Sequence, residues 1–451
     1  MLVGMAMNFI GCDREQEFLL PPSLRDWLSE GHLAWFVIDT IGALDLAAVR
    51  GVYREDGQGR PAHDPAMMCA LLVYAYAVGE RSSRQIERRC REDVAFRVIA
   101  ANRVPDHVTV NRFRARHADA LAGLFGQVLG LCARAGMVRA ATIAVDGTKL
   151  AANASLGANR TADGLRAEAE RILAEAAEVD AAEDEQFGKA RGDELPAELA
   201  DPATRAARIR QLLDELEGER AQAEADHAAQ IERYEQHIQA TGRRPRGRRP
   251  GPTLPARVKD KLRSKANMTD PDSRIVSACG ALIQGFNAQA AVGEGQVILA
   301  ARIVCNASDT QQIEPMVRAA ERELAAAGID EGIDTVLADT GYWNTDQMDA
   351  LARSGIETII PTSATQPRVK RQRHAKRGAH ADRIDRLLDI DDGRQRYRRR
   401  QQIVEPVFAH IKHLRGITRF ARRGHAAVEA EWQLIATTHN LLKLYRHPAA
   451  A

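Results

Sequence analysis

The sequence predicts an α+β protein whose core is a mixed β-sheet with a helical domain before it and a helical insertion within it. Residues 1–138 carry helical patterns, whereas strand patterns start near residue 139. After residue 264, strands come first and then alternate with helices, which is typical of a mixed sheet. The domains predicted are a helical domain over 1–138, a catalytic domain over 139–156 and 264–446, and an insertion over 157–263.

The N-terminal domain shows two helix starts with recognisable caps. Asp64 and Pro65 precede the apolar run MMCALLVYAYAV, which stops at Gly79. Ser82 and Gln85 then form a capping-box pattern. The stretch TVNRFRARHADALAGLFGQVLGLCARAG predicts one long amphipathic helix after these.

Short helices with many arginines leave two interpretations of this domain open. One is a DNA-binding module of the helix-turn-helix kind, and the other is an ordinary helical domain with a charged, solvated face. The arginines concerned are Arg84, Arg88, Arg89, Arg112, Arg114 and Arg116.

A change of period marks the first strand. ATIAVDGTKL (141–150) is a β-branched run broken by Asp146 and Gly147. The following Ala/Glu/Arg-rich segment predicts two helical pieces, the second starting at Asp201-Pro202 with coiled-coil-like spacing. GRRPRGRRPG (242–251) is a Gly/Pro/Arg linker.

The remaining elements follow in order after NMTDPDSR. We predict two or three antiparallel strands over 274–307, a helix over 309–328, a strand over 333–339, a helix and a strand over 344–361, and an amphipathic helix over 426–445.

Composition excludes several classes of protein. The chain of 451 residues is 45% hydrophobic and 27% charged, with a formal net charge of +2. Its six cysteines have no C-x-x-C spacing, so a zinc site or a disulfide framework is not predicted. The longest apolar run has the length of a core helix. Together with a start that lacks a basic signal region, this predicts a cytoplasmic protein without a membrane partner.

Three carboxylates form the candidate site. Asp146 and Asp339 each follow an apolar strand and precede a glycine, and Glu405 is the single acid among ten Lys or Arg between residues 394 and 423. Unpaired carboxylates in one cluster would raise each other's pKa. Two Mg²⁺ ions reverse that penalty, and a pair of metal ions suits phosphoryl transfer. Each acid alone is also explained as a turn or surface residue. Asp270, Asp272 and Asp309 are interpreted as turn or cap residues.

Several motifs resemble those of a known family. AVDGTK, LADTGYWN and VEPVFAHIKHLRGITRF resemble the first Asp, second Asp and Glu motifs of DDE-type transposases of bacterial insertion sequences, the eleven-eighty-two group in particular. The resemblance extends over nearly the whole chain. It implies a ribonuclease-H-like core and metal ligation by Asp146, Asp339 and Glu405. It implies two Mg²⁺ ions, with Mn²⁺ as a substitute, for cleavage and joining at terminal inverted repeats.

Partners and location follow from the same resemblance. The expected partners are the element's ends and target DNA, with a homodimer in the synaptic complex and a nucleoid-associated location in a bacterium. The insertion is interpreted as a dimerising or clamping element or as a DNA contact. Two other functions stay open: a ribonuclease-H-like nuclease that does not join, and a domesticated DNA-binding protein without chemistry.

DNA contacts are expected from basic residues around the carboxylates and in the N-terminal domain. Related transposases carry Tyr-x2-Arg-x3-Glu-x6-Lys, and here Lys412 fits the spacing while Tyr397 and Arg400 lie one residue too far upstream. At about 100° per residue, Lys412 shares the helix face of Glu405 and Arg400 lies about 140° away. Pro406 suggests an alternative, a helix starting near Val404.

The other residues expected to contact DNA are Lys149, Arg112 and Arg114. Lys149 lies three residues after Asp146, and its alternative is a plain surface lysine.

Overall fold

A computed structural model describes residues 23–53, 61–160, 202–242, 251, 266–267, 269–278, 280–305, 308–362 and 379–447. Two predictions lie outside these residues: the first helical piece of the insertion and most of the Gly/Pro/Arg linker. Of the helices within the described ranges, none is both long enough and apolar enough to cross a membrane.

The N-terminal domain is helical, as predicted. After a 3₁₀ turn over Leu24–Trp27, its helices are α1 (Leu33–Ala43), α2 (Ala47–Arg50), α3 (Pro65–Ala77), α4 (Ser83–Glu92), α5 (Val94–Ile99), α6 (His107–Arg116) and α7 (Ala118–Arg134). The side chains of Asp64 and Ser82 accept hydrogen bonds from the backbone N–H groups of Met67 and Gln85, which confirms both predicted caps.

The single long helix predicted before Gly136 is wrong, because the chain breaks at His117 into α6 and α7. His117 leaves the helical region with φ −109° and ψ 25°. Its buried ring lies 4.5 Å from the ring of Phe113 and 5.5 Å from that of Tyr53, between centroids. Packing of this ring overrides a helical pattern that runs through the break in the sequence.

The catalytic domain is built on a mixed sheet. Its strands are β1 (Thr142–Ala151), β4 (Arg274–Ala278), β5 (Ala281–Gly293), β6 (Ile298–Val304), β7 (Thr335–Leu337) and β8 (Glu357–Ile359). The order is β4-β5-β1-β7-β8, and β6 pairs with β5 beside β4. The β1–β5 pairing is antiparallel and the β1–β7 and β7–β8 pairings are parallel, so the predicted α+β class with a mixed sheet is confirmed.

The insertion leaves and rejoins the catalytic domain through a short antiparallel ladder. β2 (Asn159–Arg160) pairs with β3 (Ala266–Asn267), so the two ends of the insertion lie side by side. Between them, the described part contains α8 (Pro202–Thr241), which begins beside the predicted Asp201-Pro202 start. Entry and exit at one point allow the insertion to interrupt the sheet sequence without disturbing the sheet.

Helices cover the sheet and join it to the N-terminal domain. They are α9 (Ile313–Ala326), α10 (Thr345–Arg353), α11 (Ala379–Asp389), α12 (Asp391–Ala409), a π-helical turn (His410–Leu414) and α13 (His425–Tyr445). α12 packs on β1, whereas α13 packs on β6 and on α3 and α7. The buried hydrophobic residues of both domains form one continuous core.

A buried arginine fastens the two domains together. The Arg415 guanidinium donates hydrogen bonds to the carbonyl oxygen of Tyr76 in α3 and to Thr438 and Ile435 in α13. Burial, with a smaller contribution from nearby Arg81, lowers the pKa of Arg415 to about 9. Gly79 approaches the same place, since a Cβ built on it would lie 2.4 Å from the carbonyl oxygen of Arg415.

Gly79→Ala should therefore destabilise the junction between the domains. Gly79 has φ +85°, and a left-handed conformation together with the clash should cost at least about 2 kcal/mol. Thermal unfolding followed by circular dichroism should show a midpoint several degrees lower. The matched control is Gly123→Ala within α7, where a Cβ meets no atom within 4 Å; it should be neutral or slightly stabilising. Equal midpoints for the two variants would contradict the prediction.

Candidate active site

Asp146 lies in β1, and Asp339 lies at the matching position two residues beyond the end of the neighbouring parallel strand β7. The last residue pair between β1 and β7 is Ala144 with Leu337, and two further residues along each chain lead to Asp146 and Asp339. The Asp-Gly pair predicted that Asp146 ends its strand. This is wrong, because Asp146 lies in the middle of β1. Because β7 stops at Leu337, it does not extend beside Asp146, whereas Ala151 on the same edge of β1 bonds to the backbone of Thr418 and Phe420. The Asp339 carboxylate accepts a hydrogen bond from the Gly341 N–H at 2.8 Å.

The electrostatics of the pair depend on one arginine. Burial raises the pKa of Asp146, and the charge of Asp339 raises it further, whereas Arg400 opposes both. Nη1 of Arg400 lies 2.8 Å from Oδ2 of Asp146, and the two side chains are 14% and 19% exposed. The ion pair thus supplies the positive charge that two adjacent carboxylates require.

Arg400 lies closer to the aspartates and Glu405 than predicted from its position about 140° from Glu405 around the helix. α12 starts at Asp391 and keeps Pro406 in its interior, so the alternative start near Val404 is wrong. Although five residues separate Arg400 from Glu405, the long side chain brings Nη2 within 3.9 Å of Oε1 of Glu405. Tyr397 lies one turn earlier, half-buried; burial raises its pKa, and hydrogen bonding to Arg400 opposes the rise.

Glu405 lies at the open side of this group. Its neighbours Val404 and Val407 are buried, which fixes α12 against the sheet, while the Glu405 side chain is 54% exposed. Within the described residues, no group of three or more His, Cys, Asp or Glu side chains is close enough to hold a metal ion. The two half-buried aspartates still fit Mg²⁺, which takes oxygen donors and is commonly held by one or two carboxylates.

Lys412 lies beside the site on the π-helical turn. Its Nζ donates a hydrogen bond to Oγ1 of Thr148 at 3.0 Å. Since side chains alternate along a strand, Thr148 and Asp146 point to the same face of β1. Arg400 and Lys412 therefore both approach that face from the segment that follows β8.

Lys149, three residues after Asp146, points to the other face of β1. Its Nζ lies 3.2 Å from Oδ1 of Asp309, so it is neither a plain surface lysine nor set next to the aspartate pair. The Asp309 carboxylate also accepts hydrogen bonds at 2.7 Å from Nδ2 of Asn287 and from Nε2 of Gln289. The interpretation of Asp309 as a turn residue missed this cluster.

A signal for the Asp309 cluster was present in the sequence. Asn287 and Gln289 are two residues apart in the otherwise apolar stretch GFNAQAAV, and both are buried in β5. Their cross-strand partners are Lys149 and Gly147. Polar residues with a period of two inside a buried strand point to one face and need a polar partner there.

Gly147 lets the Asp309 cluster pack directly against the backbone of β1, because there is no room for a side chain at this position. A Cβ built on it would lie 2.3 Å from Nε2 of Gln289, 2.7 Å from Oδ1 of Asn287 and 3.0 Å from Oδ1 of Asp309. The residue after Asp146 must therefore be glycine for the Asp309 cluster to pack against the strand.

The two arginines predicted to contact DNA from the N-terminal domain differ in exposure. Arg112 is exposed on α6, but Arg114 is only 7% exposed. The Arg114 guanidinium donates hydrogen bonds to the hydroxyl of Tyr76, the carbonyl oxygen of Arg81 and the side chain of Asn111. The predicted DNA contact of Arg114 does not fit this burial, because its donors are used inside the protein.

Comparisons with known proteins place the chain within an enzyme class. A family model described as a transposase domain (DUF772) matches residues 22–116, and one described as a transposase DDE domain matches residues 257–441. Comparisons with curated proteins and with solved structures gave no match. The two domains define the class as transposase. The chain is a DDE-type transposase of an insertion element, and enzymes of this family act on DNA and generally use a divalent metal ion.

Gly147→Ala should disturb the site without removing any functional group. The methyl group would push against Gln289, Asn287 and Asp309, so overpacking should cost about 1–3 kcal/mol. We expect a lower thermal midpoint and a reduced transposition frequency. Gly157→Ala is the matched control, since its Cβ meets only the Ser155 hydroxyl, at 3.5 Å. Wild-type behaviour of both variants would show that the close packing at Gly147 is unimportant.

Proposed function

We propose that this transposase cuts and joins DNA at the terminal inverted repeats of an insertion sequence of the eleven-eighty-two group, with Asp146, Asp339 and Glu405 at the active site. The observation that carries the proposal is the matching placement of Asp146 in β1 and of Asp339 two residues beyond β7. The helix that carries Glu405 lies against β1, and its Arg400 forms an ion pair with Asp146.

The sheet supports a ribonuclease-H-like core for the catalytic domain. Three antiparallel strands, β6, β5 and β1, are followed across the sheet by the parallel strands β7 and β8. With the insertion leaving through β2 and β3, this supports the division into a helical domain (1–138), a catalytic domain (139–156 and 264–446) and an insertion (157–263).

The proposed cofactor is Mg²⁺, as two ions for which Mn²⁺ substitutes. Asp146 and Asp339 would hold it, with Glu405 turning inward from its exposed position to complete the set. When bound, the ions activate the attacking oxygen and stabilise the leaving oxygen of an in-line phosphoryl transfer. Without metal, Arg400 partly neutralises the aspartates. When Mg²⁺ binds, the Arg400 side chain would have to move away from Asp146 or share that carboxylate with the metal ion.

The chain's other residues bind and orient the DNA. Lys412 lies on the same face of β1 as Asp146, where it can hold a phosphate of the strand to be cut. Water breaks the phosphodiester and leaves a 3′-hydroxyl, which attacks a target phosphodiester and releases a target 3′-hydroxyl. Tyr397 and Arg400 lie on the side of the helix that faces the aspartates. We propose that they orient the carboxylates and that contact with DNA is their secondary role.

Part of the basic character of α12 is neutralised within the protein. Arg396 pairs with Glu357 and Arg399 pairs with Glu294. Exposed Arg398 and Arg419 belong to the same basic stretch, and they are better placed to meet phosphates. The partners we propose are the element's ends and target DNA, bound by a homodimer, in the cytoplasm at the nucleoid. α8 is long enough, at 40 residues, to act as its dimerising or clamping arm.

Substitution of the three acids tests the active site. Asp146→Asn, Asp339→Asn and Glu405→Gln should each lower Mg²⁺-dependent cleavage of inverted-repeat DNA by at least about 100-fold, because each removes a ligand worth several kcal/mol. Binding of the ends should persist in gel-shift assays. Asp391→Asn is the control, since this acid at the start of the same helix is 98% exposed.

The products separate the possible functions. Cut and joined DNA from the wild-type protein supports transposition at these ends, cut DNA alone indicates a nuclease, and shifted but intact DNA indicates a binding protein. Unchanged cleavage by all three variants would show that the proposed active site is wrong.

Arg112 and Arg114 test the DNA surface of the N-terminal domain. Arg112→Gln should leave the thermal midpoint unchanged and reduce the salt slope of end binding by about one, as expected for a lost phosphate contact. Arg114→Gln should instead lower the thermal midpoint, because the buried hydroxyl of Tyr76 would lose its hydrogen-bond donor. The assignment fails if Arg112→Gln binds the ends with an unaltered salt slope.

A further inference from the structure

We propose that Asp309 is a positioning residue that sets the spacing of Asp146 and Asp339 for metal binding. The inference rests on the proposed function, because it concerns the two aspartates proposed there as ligands. Asp309 lies on the face of β1 opposite to Arg400 and approaches the backbone of Gly147 in β1 and of Gly341 in the 3₁₀ turn after Asp339. It would not itself need to touch the DNA.

Asp309 is the common acceptor of three donors. Asn287, Gln289 and Lys149 all direct side-chain nitrogens to its carboxylate, at 2.7, 2.7 and 3.2 Å. The side chain of Asp309 is 22% exposed and that of Lys149 is 18% exposed, so the ion pair is largely shielded. Two amides and one ammonium around one carboxylate form a set whose geometry is determined by that carboxylate.

The carboxylate acts on the Asp339 turn through Gln289. An ionised carboxylate only accepts hydrogen bonds, so Nε2 of Gln289 faces Asp309 and Oε1 faces away from it. That oxygen accepts a hydrogen bond from the hydroxyl of Tyr342, which is fully buried. Tyr342 ends the 3₁₀ turn that begins at Asp339, and its ring anchors that turn.

The same cluster acts on Asp146 through Gly147. Asp309, Asn287 and Gln289 all lie within 3.0 Å of the position that a Cβ on Gly147 would take. A Cβ on Gly341 would lie 3.8 Å from Cβ of Asp309. Asp309 therefore lies close to Gly147 in β1 and to Gly341 in the turn after Asp339, so one side chain constrains the backbone next to both aspartates.

Loss of the negative charge should loosen this arrangement. Asparagine at position 309 would present an NH₂ group to a set that already supplies three donors, so at least one donor would lose its acceptor. The simplest relief is rotation of Gln289, which would break its bond to Tyr342 and release the Asp339 turn. Lys149 would lose its counter-charge at the same time.

Manganese binding and catalysis measured on the full chain test the proposal. In electron paramagnetic resonance titrations without DNA, Asp309→Asn should bind Mn²⁺ about 10- to 100-fold more weakly, as for loss of an outer-shell partner. Cleavage of bound ends should fall and be partly restored by raising Mn²⁺, while end binding stays unchanged. The control is Glu331→Gln, because Glu331 supports the start of β1 by accepting from the N–H groups of Ala140 and Ala141.

A purely structural role gives a different result. In that case Asp309→Asn would lower the thermal midpoint as Glu331→Gln does and leave Mn²⁺ affinity unchanged, which overturns the proposal. If Asp309→Asn does not fold, Tyr342→Phe decides. It removes only the bond to Gln289 and should weaken Mn²⁺ binding in the same direction, and unchanged affinity again overturns the proposal.

Asp146→Asn separates this inference from the proposed function. If it binds Mn²⁺ and cuts DNA like the wild type, the proposed active site is wrong. If it loses both and Asp309→Asn keeps the wild-type affinity, the active site stands and only the role of Asp309 fails.

Discussion

The short pairing between β1 and β7 is the constraint on which the rest of the site depends. β1 pairs with β5 along nearly its whole length but with β7 over only three residues. The pairing with β7 therefore ends at Ala144, and the chain after β7 can turn there, before Ala151 on the same edge of β1 is bridged to Arg419. This opening places Asp339 beside Asp146, and it gives helix α12 a face of β1 on which to set Arg400 and Glu405.

Charge balance around that opening explains the lone acid of the basic stretch. Two half-buried aspartates need a positive partner, and Arg400 supplies it in the absence of metal. The arginines around Glu405 are not uniformly available to DNA, since several pair with acids from other elements. Glu405 is the member of the group that remains exposed, at 54%, so its side chain has room to turn toward the metal ion that we propose for the half-buried aspartates.

Periodicity and capping predicted most elements, because those signals are local. The caps at Asp64 and Ser82 and the strand–helix order were read from neighbouring residues alone. Predictions failed where distant contacts decide: His117 breaks a helix to bury its ring, and Arg114 is drawn inside by Tyr76. The matching positions of Asp146 and Asp339 were predictable from two similar motifs. The place of Asp309 required the register of β5 against β1, which no local pattern encodes.

The π-helical turn over His410–Leu414 connects this site to the N-terminal domain. On one side of it, Lys412 reaches Thr148 on the aspartate face of β1. Immediately after it, Arg415 is held by the carbonyl oxygen of Tyr76 in α3. A buried guanidinium bonded to neutral oxygens is costly to move, because any displacement leaves a buried charge without its hydrogen bonds. The distance between Lys412 and the aspartates is therefore set partly by how α3 docks. The helical domain, which we propose to hold the DNA ends, is thereby linked through Arg415 and the π-helical turn to the proposed catalytic carboxylates.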